Sequence, residues 1–473
     1  MISSITDDSR DVQKNSLFVA KQGVESHGKE FIKEAIQNGA SCIISDQKIL
    51  ADIDIPIHYV NDLENKIVEI LFKFYELSPD NFIIHGVTGT NGKTTTAFMA
   101  HNIMRELDKP SVYIGTLGAI INDDLLQTKG NTTPGIFEIF EILKTCNFQQ
   151  KTYVFLEVSS HALDQGRLFN LPFFQTVILN IQSDHLDYHQ SDKNYIDAKL
   201  SITQLNNKNP SMILIDKIQD LLPNFTDDQK EKLSKSIFLS ANDSLATLKY
   251  TLDFNPQGSS RVHLNFPNLN LDTNISSFLR FNIENYISAI ALISDHISAD
   301  DIDSIDKTSI SLPGGHGELL RLNQSNILID FAHNHQSMQN VLSGVASSYD
   351  EIILVFGCGG DRDKPKRRIM GKIANKYCNK IYLTDDNPRK ENPKKIRDQI
   401  KININRKKLI EISSRKIAIN TAIKNIQSDE VVIVAGKGHE SYQEYKSRKY
   451  FSDRDCILKS IKEKNKSLNN NWK

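Results

Sequence analysis

At 473 residues the chain is several times the length of a typical single domain, so two to three domains with ample buried core are expected. Lys and Arg number 57 against 58 Asp and Glu, a net charge of -1, which supplies no global field to hold a polyanion or an acidic membrane; neither nucleic acid nor a membrane is expected as a partner. No apolar run reaches the roughly 18 residues of a spanning helix, and the first ten residues lack a basic-then-apolar signal pattern, so a soluble cytoplasmic protein is expected. Five cysteines (Cys42, Cys146, Cys358, Cys378, Cys456) are scattered and never spaced CxxC, which predicts buried, inert thiols and supports neither disulfides nor a zinc site.

Up to about residue 80, short apolar runs such as Ser16 to Ala20 and Cys42 to Ile44 flank a helix-period stretch, Lys29 to Gly39, ended by glycine. This predicts a small α/β unit. From Asn81 the texture becomes βα alternation: Phe82 to Val87 reads as a buried strand, a Gly-rich turn follows, and Thr94 to Leu107 reads as a helix. Further strands are expected at Ser111 to Ile114, Tyr153 to Leu156, Thr176 to Leu179 and Met212 to Ile215, with a helix Asn194 to Leu205 carrying Lys199. The turn-forming cluster Leu312-Pro313-Gly314-Gly315 marks a boundary, after which strands at Ile327 to Ile329, Ile352 to Phe356, Lys380 to Leu383 and Val431 to Val434 alternate with helices. The Lys- and Asn-rich end, Lys459 to Lys473, is expected to fray. No solenoid-length repeat is present.

The strongest local signal is Thr88-Gly89-Thr90-Asn91-Gly92-Lys93-Thr94-Thr95, between a predicted strand and helix. Small residues there expose backbone N–H groups at a helix N-terminus, Lys93 can reach the terminal phosphates of ATP, and the Thr94 hydroxyl can ligate Mg²⁺. The loop departs from GxxxxGK[ST] in having Val87 at the first glycine position. The strand Tyr153 to Leu156 ends in Glu157, placed for a magnesium-directed acid, and Asp184-His185-Leu186-Asp187-Tyr188-His189 gathers metal-competent groups after another strand. Taken alone, that second segment also reads as a solvated loop with a stacking histidine, and Lys199 as one more surface lysine. In the third segment, Gly357 to Lys364, Thr384 to Arg389 and Gly436 to Glu440 each follow a strand, where α/β ligand crevices form. A guanidinium fork held by an Asn-Pro turn suits bidentate capture of a carboxylate, and Glu440 can hold an ammonium.

In order and spacing these motifs, from Asp8-Ser9-Arg10 to Phe451-Ser452-Asp453-Arg454, resemble the Mur ligase family, in particular the members that add the third residue of the peptidoglycan peptide. The resemblance implies an α/β fold of three domains: a UDP-sugar-binding domain over 1–80, a central ATPase domain with a mostly parallel P-loop-type sheet over 81–311, and a Rossmann-like amino-acid-binding domain over 312–473. It implies ATP-binding roles for Gly89, Thr90, Asn91, Gly92, Lys93, Thr94, Thr95 and Asn282, and a Mg²⁺ site of Thr94, Glu157, His185 and Lys199 as a carbamate. A sequestered lysine has enough neutral amine to capture CO₂, and the carbamate is an anionic oxygen ligand, as lysine is not. Lys93, Glu157, His185 and Lys199 become the expected catalytic set. UDP-sugar contacts would fall on Ser9, the Val24-Glu25-Ser26 turn, Asn131, Thr132, Thr133, Ser159, Gln165 and Arg167. Diaminopimelate contacts would fall on Arg362, Asp386, Asn387, Pro388, Arg389, Gly436 and Glu440, with Arg389 on the distal carboxylate; the lysine-adding relatives lack that arginine.

The implied reaction joins meso-2,6-diaminopimelate to UDP-MurNAc-L-Ala-D-Glu through an acyl phosphate, by a monomeric enzyme. Two departures stand out. The family's Gly-Arg-x-Glu is Gly315-His316-Gly317-Glu318 here, which puts a weaker cation where a phosphate-directed arginine is usual. The family's Asp-Tyr-Ala-His-Thr-Pro-Asp is Asp330-Phe331-Ala332-His333-Asn334-His335-Gln336 here. Competing readings are a folylpolyglutamate synthetase-like ligase, which the Asp8-Ser9-Arg10 and Asp386 to Arg389 motifs argue against, a P-loop phosphotransferase, which leaves the third segment unexplained, and a non-catalytic binding protein descended from a ligase.

Overall fold

Strands that are apolar at every position are built to be covered on both faces, and five such positions each in Ile352–Phe356 and Val431–Ala435 are buried throughout. The computed structural model describes residues 2–470 apart from 24–25, 50–52, 147–149, 206, 244–245, 256–258, 278, 306–311, 323–324 and 362–363, and apart from the side chains of 217, 276 and 466–470. Val24, Glu25 and Arg362, expected at substrate sites, lie outside the described residues.

Three principal sheets carry the described chain. The first is four parallel strands, Ser4–Thr6, Ser16–Ala20, Ala40–Ser45 and Ile57–Tyr59. The helix Ile32–Asn38 packs beside it and ends at Gly39, in the left-handed conformation (φ 113°) that closes a helix C-terminus. The second sheet has eleven strands in spatial order Leu269–Ser276, Ser259–Phe266, Leu248–Asp253, Ile237–Ser240, Met212–Leu214, Gln175–Ile178, Phe82–Thr88, Thr152–Glu157, Ser111–Gly115, Gly118–Ile121 and Asp124–Leu126. Its centre is parallel and its two ends turn antiparallel. The third sheet runs His316–Leu322, Ser325–Asp330, Val431–Ala435, Ile352–Phe356, Lys380–Leu383 and Leu409–Glu411, all parallel except the first pair.

The helix predicted from Thr94 is Lys93–Glu106, and that predicted from Asn194 is Asp192–Leu200, followed by a single tighter turn to Gln204. The C-terminal segment corrects the expectation of fraying: Asp453–Asn470 is a helix. Cys456 and Ile457 bury an apolar stripe against Ala418, Ile419 and Ile423, while the Lys464 ammonium caps the carbonyls of Ile423 and Ile426 at 3.1 and 2.8 Å. All five cysteines are buried and unpaired.

The carboxyl ends of the central strands of the second sheet and of the parallel strands of the third sheet face one another across a cavity of about 1350 Å³. That is where open α/β sheets place ligands.

Candidate active site

The phosphate-type loop leaves Phe82–Thr88 and enters Lys93–Glu106 through Gly92, whose φ is 89° and whose place leaves no room for a side chain: a Cβ would lie 2.5 Å from Asn285 Oδ1. The loop is held by the segment after Gln175–Ile178. Asn91 N donates to Asn180 Oδ1 and Asn180 Nδ2 returns to Asn91 O, both at 2.9 Å; Asn91 Nδ2 reaches Gln182 Oε1 at 2.9 Å, and the Thr90 hydroxyl meets the Tyr195 phenol at 2.9 Å. Asn180 and Gln182 carry no motif and were not singled out by the sequence.

Lys93 and Lys199 both converge on one acceptor, donating to the carbonyl of Gly89 at 2.9 and 2.8 Å. Lys199 is 1% exposed, the reverse of a surface lysine. Burial, with the Lys93 charge beside it, holds its amine well below the ordinary lysine range; burial also lowers Lys93, against the opposing pull of Glu157 and Asp184.

Glu157, fully buried at the end of its strand, accepts from Thr94 Oγ1 at 2.9 Å, from Thr116 N at 2.9 Å, from Thr116 Oγ1 at 3.2 Å and from the Tyr113 phenol. Burial raises its pKa against these donors. Among the described residues no cation lies within ion-pair distance of it, so a buried carboxylate, a threonine hydroxyl and a histidine face the cavity together. His185, in a left-handed conformation (φ 52°), is pushed down to about 4 by burial and is neutral at pH 7, as a metal-binding imidazole must be. Burial works against the charge of Asp184, yet His185, His333 and Lys366 pull it down to about 2.

No cluster of three or more His, Cys, Asp or Glu placed to hold a metal ion by themselves is present among the described residues. Mg²⁺ does not require one, since it keeps several waters and takes one or two protein carboxylates together with substrate phosphates. The donor set Thr94, Glu157 and His185 fits such an ion, and Lys199 lies one carbonyl away from the same loop.

The residues expected at the UDP-sugar separate into two groups. Thr133, Ser159, Gln165 and Arg167 form one network behind Glu157: Thr133 Oγ1 donates to Glu157 O at 2.8 Å and to Ser159 Oγ at 3.1 Å, Arg167 Nη1 to Thr133 O at 3.1 Å, and Arg167 Nε to Gln165 Oε1 at 2.8 Å. Thr132 lines the cavity and Asn131 is exposed. Ser9 is not brought to the cavity; it is buried in the first unit, donating to Glu34 at 2.7 Å.

On the opposite wall, Asn387 bridges two loops. Its Nδ2 donates to Glu440 Oε2 at 2.9 Å, and its Oδ1 accepts from Lys437 Nζ at 3.1 Å. Lys437, which the sequence reading passed over inside Gly436 to Glu440, is fully buried and pairs with Glu440 at 2.6 Å. Gly436, at φ 112°, gives the room Asp386 needs, since a Cβ there would stand 2.9 Å from Asp386 Oδ2. Pro388 packs on Gly360, where any Cβ would overlap the Pro388 carbonyl. Arg389, also left-handed (φ 53°), lines the cavity and donates to Gly360 O at 2.8 Å.

Both sequence departures are at the cavity. His316 is held neutral by burial and by its neighbours His439 and His333; its ring stacks on His439 with centroids 5.2 Å apart, and Nε2 meets His439 Nδ1 at 3.1 Å. A neutral imidazole thus stands where the family places a guanidinium. Asn334 caps the helix His335–Ala346 through its Oδ1, while its Nδ2 crosses the cleft to Asp184 Oδ2 at 3.0 Å and Asn91 Oδ1 at 3.3 Å. It is a direct tether between the third sheet and the phosphate-type loop.

Burial pushes His101, His185 and His439 down to about 4, against about 6.5 in an unfolded chain. Between these values the unfolded chain binds more protons, so stability rises with pH there and is lost on acidification. Asp330, pushed up to about 7 by burial, acts in the opposite sense, as do Glu157 and Asp385, which burial also raises, but the lowered histidines, His85, His189, His296, His316 and His333 among them, outnumber these acids. The melting temperature is therefore expected to fall by several degrees between pH 7 and pH 5, read by scanning calorimetry; a melting temperature that rises over that interval contradicts the buried, neutral histidines.

The family descriptions that match are the Mur ligase middle domain over residues 87–293, the Mur ligase glutamate ligase domain over 318–438 and the Mur ligase family catalytic domain over 1–69. A UDP-N-acetylmuramoyl-L-alanyl-D-glutamate–2,6-diaminopimelate ligase of Buchnera aphidicola subsp. Baizongia pistaciae is 33% identical, covering 99% of this chain and 95% of its own length. A solved structure with the same enzyme name superposes with TM-score 0.67 at 28% identity, over 98% of this chain and 95% of that one. A folylpolyglutamate synthase from Mycobacterium tuberculosis shares the fold at 14% identity and TM-score 0.57, covering 78% of this chain and 91% of its own.

Proposed function

The chain belongs to the Mur ligase family, and from that premise we propose that it is an ATP-dependent, amide-forming ligase. It joins meso-2,6-diaminopimelate to the D-Glu side-chain carboxylate of UDP-MurNAc-L-Ala-D-Glu, a cytoplasmic step of peptidoglycan precursor synthesis, and acts as a monomer. The observation that carries this reading is one cavity walled on one side by Asn91, Lys93, Thr94 and Glu157 and on the other by Arg389 and Glu440. A phosphotransferase or motor ATPase has no use for the second wall. We assign the UDP-sugar to residues 1–80 with Asn131, Thr132, Thr133, Ser159, Gln165 and Arg167, the nucleotide to 81–311, and the amino acid to 312–473.

Thr94, Glu157 and His185 would hold Mg²⁺, which when bound neutralises charge on the β- and γ-phosphates. Lys199 is the residue we assign to carbamylation: its neutral amine adds to CO₂ and releases one proton, leaving an anionic oxygen pair in place of the amine. Its burial and its depressed basicity support that assignment. Lys93 offsets the repulsion between substrate carboxylate and γ-phosphate. The carboxylate oxygen attacks the γ-phosphorus, ADP leaves, and the resulting acyl phosphate gives the amine of diaminopimelate a leaving group that a bare carboxylate lacks. The amine attacks the acyl carbon, loses its proton, and inorganic phosphate departs with the original carboxylate oxygen. The Asn334 tether across the cleft keeps the two walls together, which excludes the water that would hydrolyse the intermediate.

The experiment that tests this chemistry is isotopic. With ¹⁸O in the D-Glu side-chain carboxylate, one ¹⁸O is expected in the phosphate released per tripeptide formed; unlabelled phosphate would contradict carboxylate activation.

A further inference from the structure

The chain between Glu440 and Phe451, to which the sequence attached no role, folds as a hairpin with Tyr442–Glu444 paired to Arg448–Tyr450. It is built onto the loop that ends in Arg389. Gln443 Nε2 donates to the carbonyls of Asp385 and Asp386 at 3.2 and 2.9 Å, Glu444 N to Asn387 Oδ1 at 2.9 Å, and Arg389 N to Glu444 O at 3.1 Å. The register sets Arg448 opposite Glu444, and its guanidinium lies over the Tyr442 ring at 4.5 Å, an arrangement that orients the fork.

Arg389 and Arg448 both line the cavity, and both approach the same oxygen, Glu444 Oε2, at 3.6 and 3.5 Å. Neither distance is a good hydrogen bond, and the short contact of Arg389 is to a neutral carbonyl, Gly360 O. Among the described residues of this wall, the cations Arg389, Lys437 and Arg448 stand against the carboxylates Glu440 and Glu444, with Lys437 already committed to Glu440. Asp386 is turned to its own loop and to Arg415, 4.0 Å away. Two guanidinium forks sharing one loosely held carboxylate leave room in charge and in hydrogen bonding for a second anion.

We propose that Arg448 is a second carboxylate-binding residue of the amino-acid site, its fork joining that of Arg389 on the distal carboxylate of the incoming amino acid, and that Glu444 gives way to that carboxylate. The inference rests on the reading of the substrate as a diamino dicarboxylate. It adds a discriminating cation on a separate structural element: Arg448 is 66% exposed, so an amino acid without a distal carboxylate forgoes the attraction of a second fork, and the cost of an unpaired buried guanidinium falls on Arg389 alone.

The test is steady-state kinetics with ATP and UDP-MurNAc-L-Ala-D-Glu saturating and meso-diaminopimelate varied. Arg448→Met keeps the apolar stem over Tyr442 and loses the charge; Arg448→Lys keeps the charge and loses the fork. The expected result is a KM for diaminopimelate raised at least about tenfold in R448M and by a smaller factor in R448K, with kcat and the KM for both other substrates within about twofold of wild type. An unchanged KM in R448M, or equal rises in the two variants, which is what a packing role gives, overturns the proposal. Wild-type protein that makes no tripeptide from diaminopimelate brings down the parent reading and this one with it; normal wild-type turnover beside an unaffected R448M brings down this inference alone.

Discussion

Lys199→Ala lowers kcat for tripeptide formation by about a thousandfold while leaving the melting temperature within a few degrees of wild type. The magnitude is that of removing one preorganised group from the charge developing in a transition state. A lysine 1% exposed, with a single neutral acceptor at Gly89 O and a second lysine on that same oxygen, is a poor place for an ammonium. Its depressed basicity enlarges the share of neutral amine, and only the neutral amine adds CO₂. Lys199→Arg, which holds a permanent charge and forms no carbamate, is expected to be as inactive as the alanine variant. A carbonyl signal from ¹³C-bicarbonate, present in wild type and absent in Lys199→Ala, reads the adduct directly. Activity in Lys199→Arg above a tenth of wild type would show that no carbamate is needed.

Asp453→Ala is expected to destabilise the C-terminal unit by about 3–5 kcal/mol, measured by urea unfolding followed at several wavelengths. Arg415 and Asp453 side chains are both 0% exposed, and they pair bidentately at 2.8 and 2.7 Å, with a further Arg415 bond to Ala435 O at 2.9 Å. Burial opposes the guanidinium charge, and Asp453 outweighs it. Removing the acid leaves a buried cation whose nearest remaining carboxylate is Asp386, at 4.0 Å. The double variant Asp453→Ala/Arg415→Met removes that stranded charge and is expected to recover more than half of the loss. Additive losses in the double variant would contradict the pairing. Because Arg415 also borders the loop that carries Asn387 and Arg389, Asp453→Ala should weaken amino-acid binding more than nucleotide binding.

The sequence was most legible where one strand and one loop suffice. The residues Phe82 to Val87, Ile352 to Phe356 and Val431 to Val434 are apolar runs covered on both faces, and they are strands within a residue of the expected ends. The Gly92-Lys93-Thr94 junction is a local conformational demand that only a strand-to-helix turn meets. What depends on tertiary contact was not legible. Asn180 and Gln182 shape the phosphate-type loop from 89 and 91 residues away through side-chain amides, which leave no periodic or compositional trace. The antiparallel strands Leu248–Asp253, Ser259–Phe266 and Leu269–Ser276 are a different case: Leu-Lys-Tyr-Thr-Leu-Asp and Ser-Ser-Arg-Val-His-Leu-Asn-Phe alternate in the period of a half-buried strand, a legible signal that the motif-led reading of the sequence did not use. Lys199 shows the limit most plainly. Its burial was not readable from the helix around it, which is polar on most faces; only the family resemblance raised it above a surface lysine.

The same contrast holds for the two departures. A histidine in place of arginine reads as a weaker cation, but burial, with His439 and His333 beside it, holds His316 well below even the ordinary histidine range. In the Asp330 to Gln336 stretch, Asn334 supplies both a helix cap and the amide that spans the cleft.

One reaction at one cavity is proposed for this chain, and phosphate release tests it most directly. Purified protein is given ATP, Mg²⁺ and UDP-MurNAc-L-Ala-D-Glu with meso-diaminopimelate, with L-lysine, or with no amino acid, and the products are weighed by mass spectrometry. Stoichiometric phosphate and tripeptide with diaminopimelate alone is the predicted result. Turnover with lysine in its place would contradict the role given to Arg389, and phosphate release that does not depend on the UDP-sugar would contradict the ligase itself.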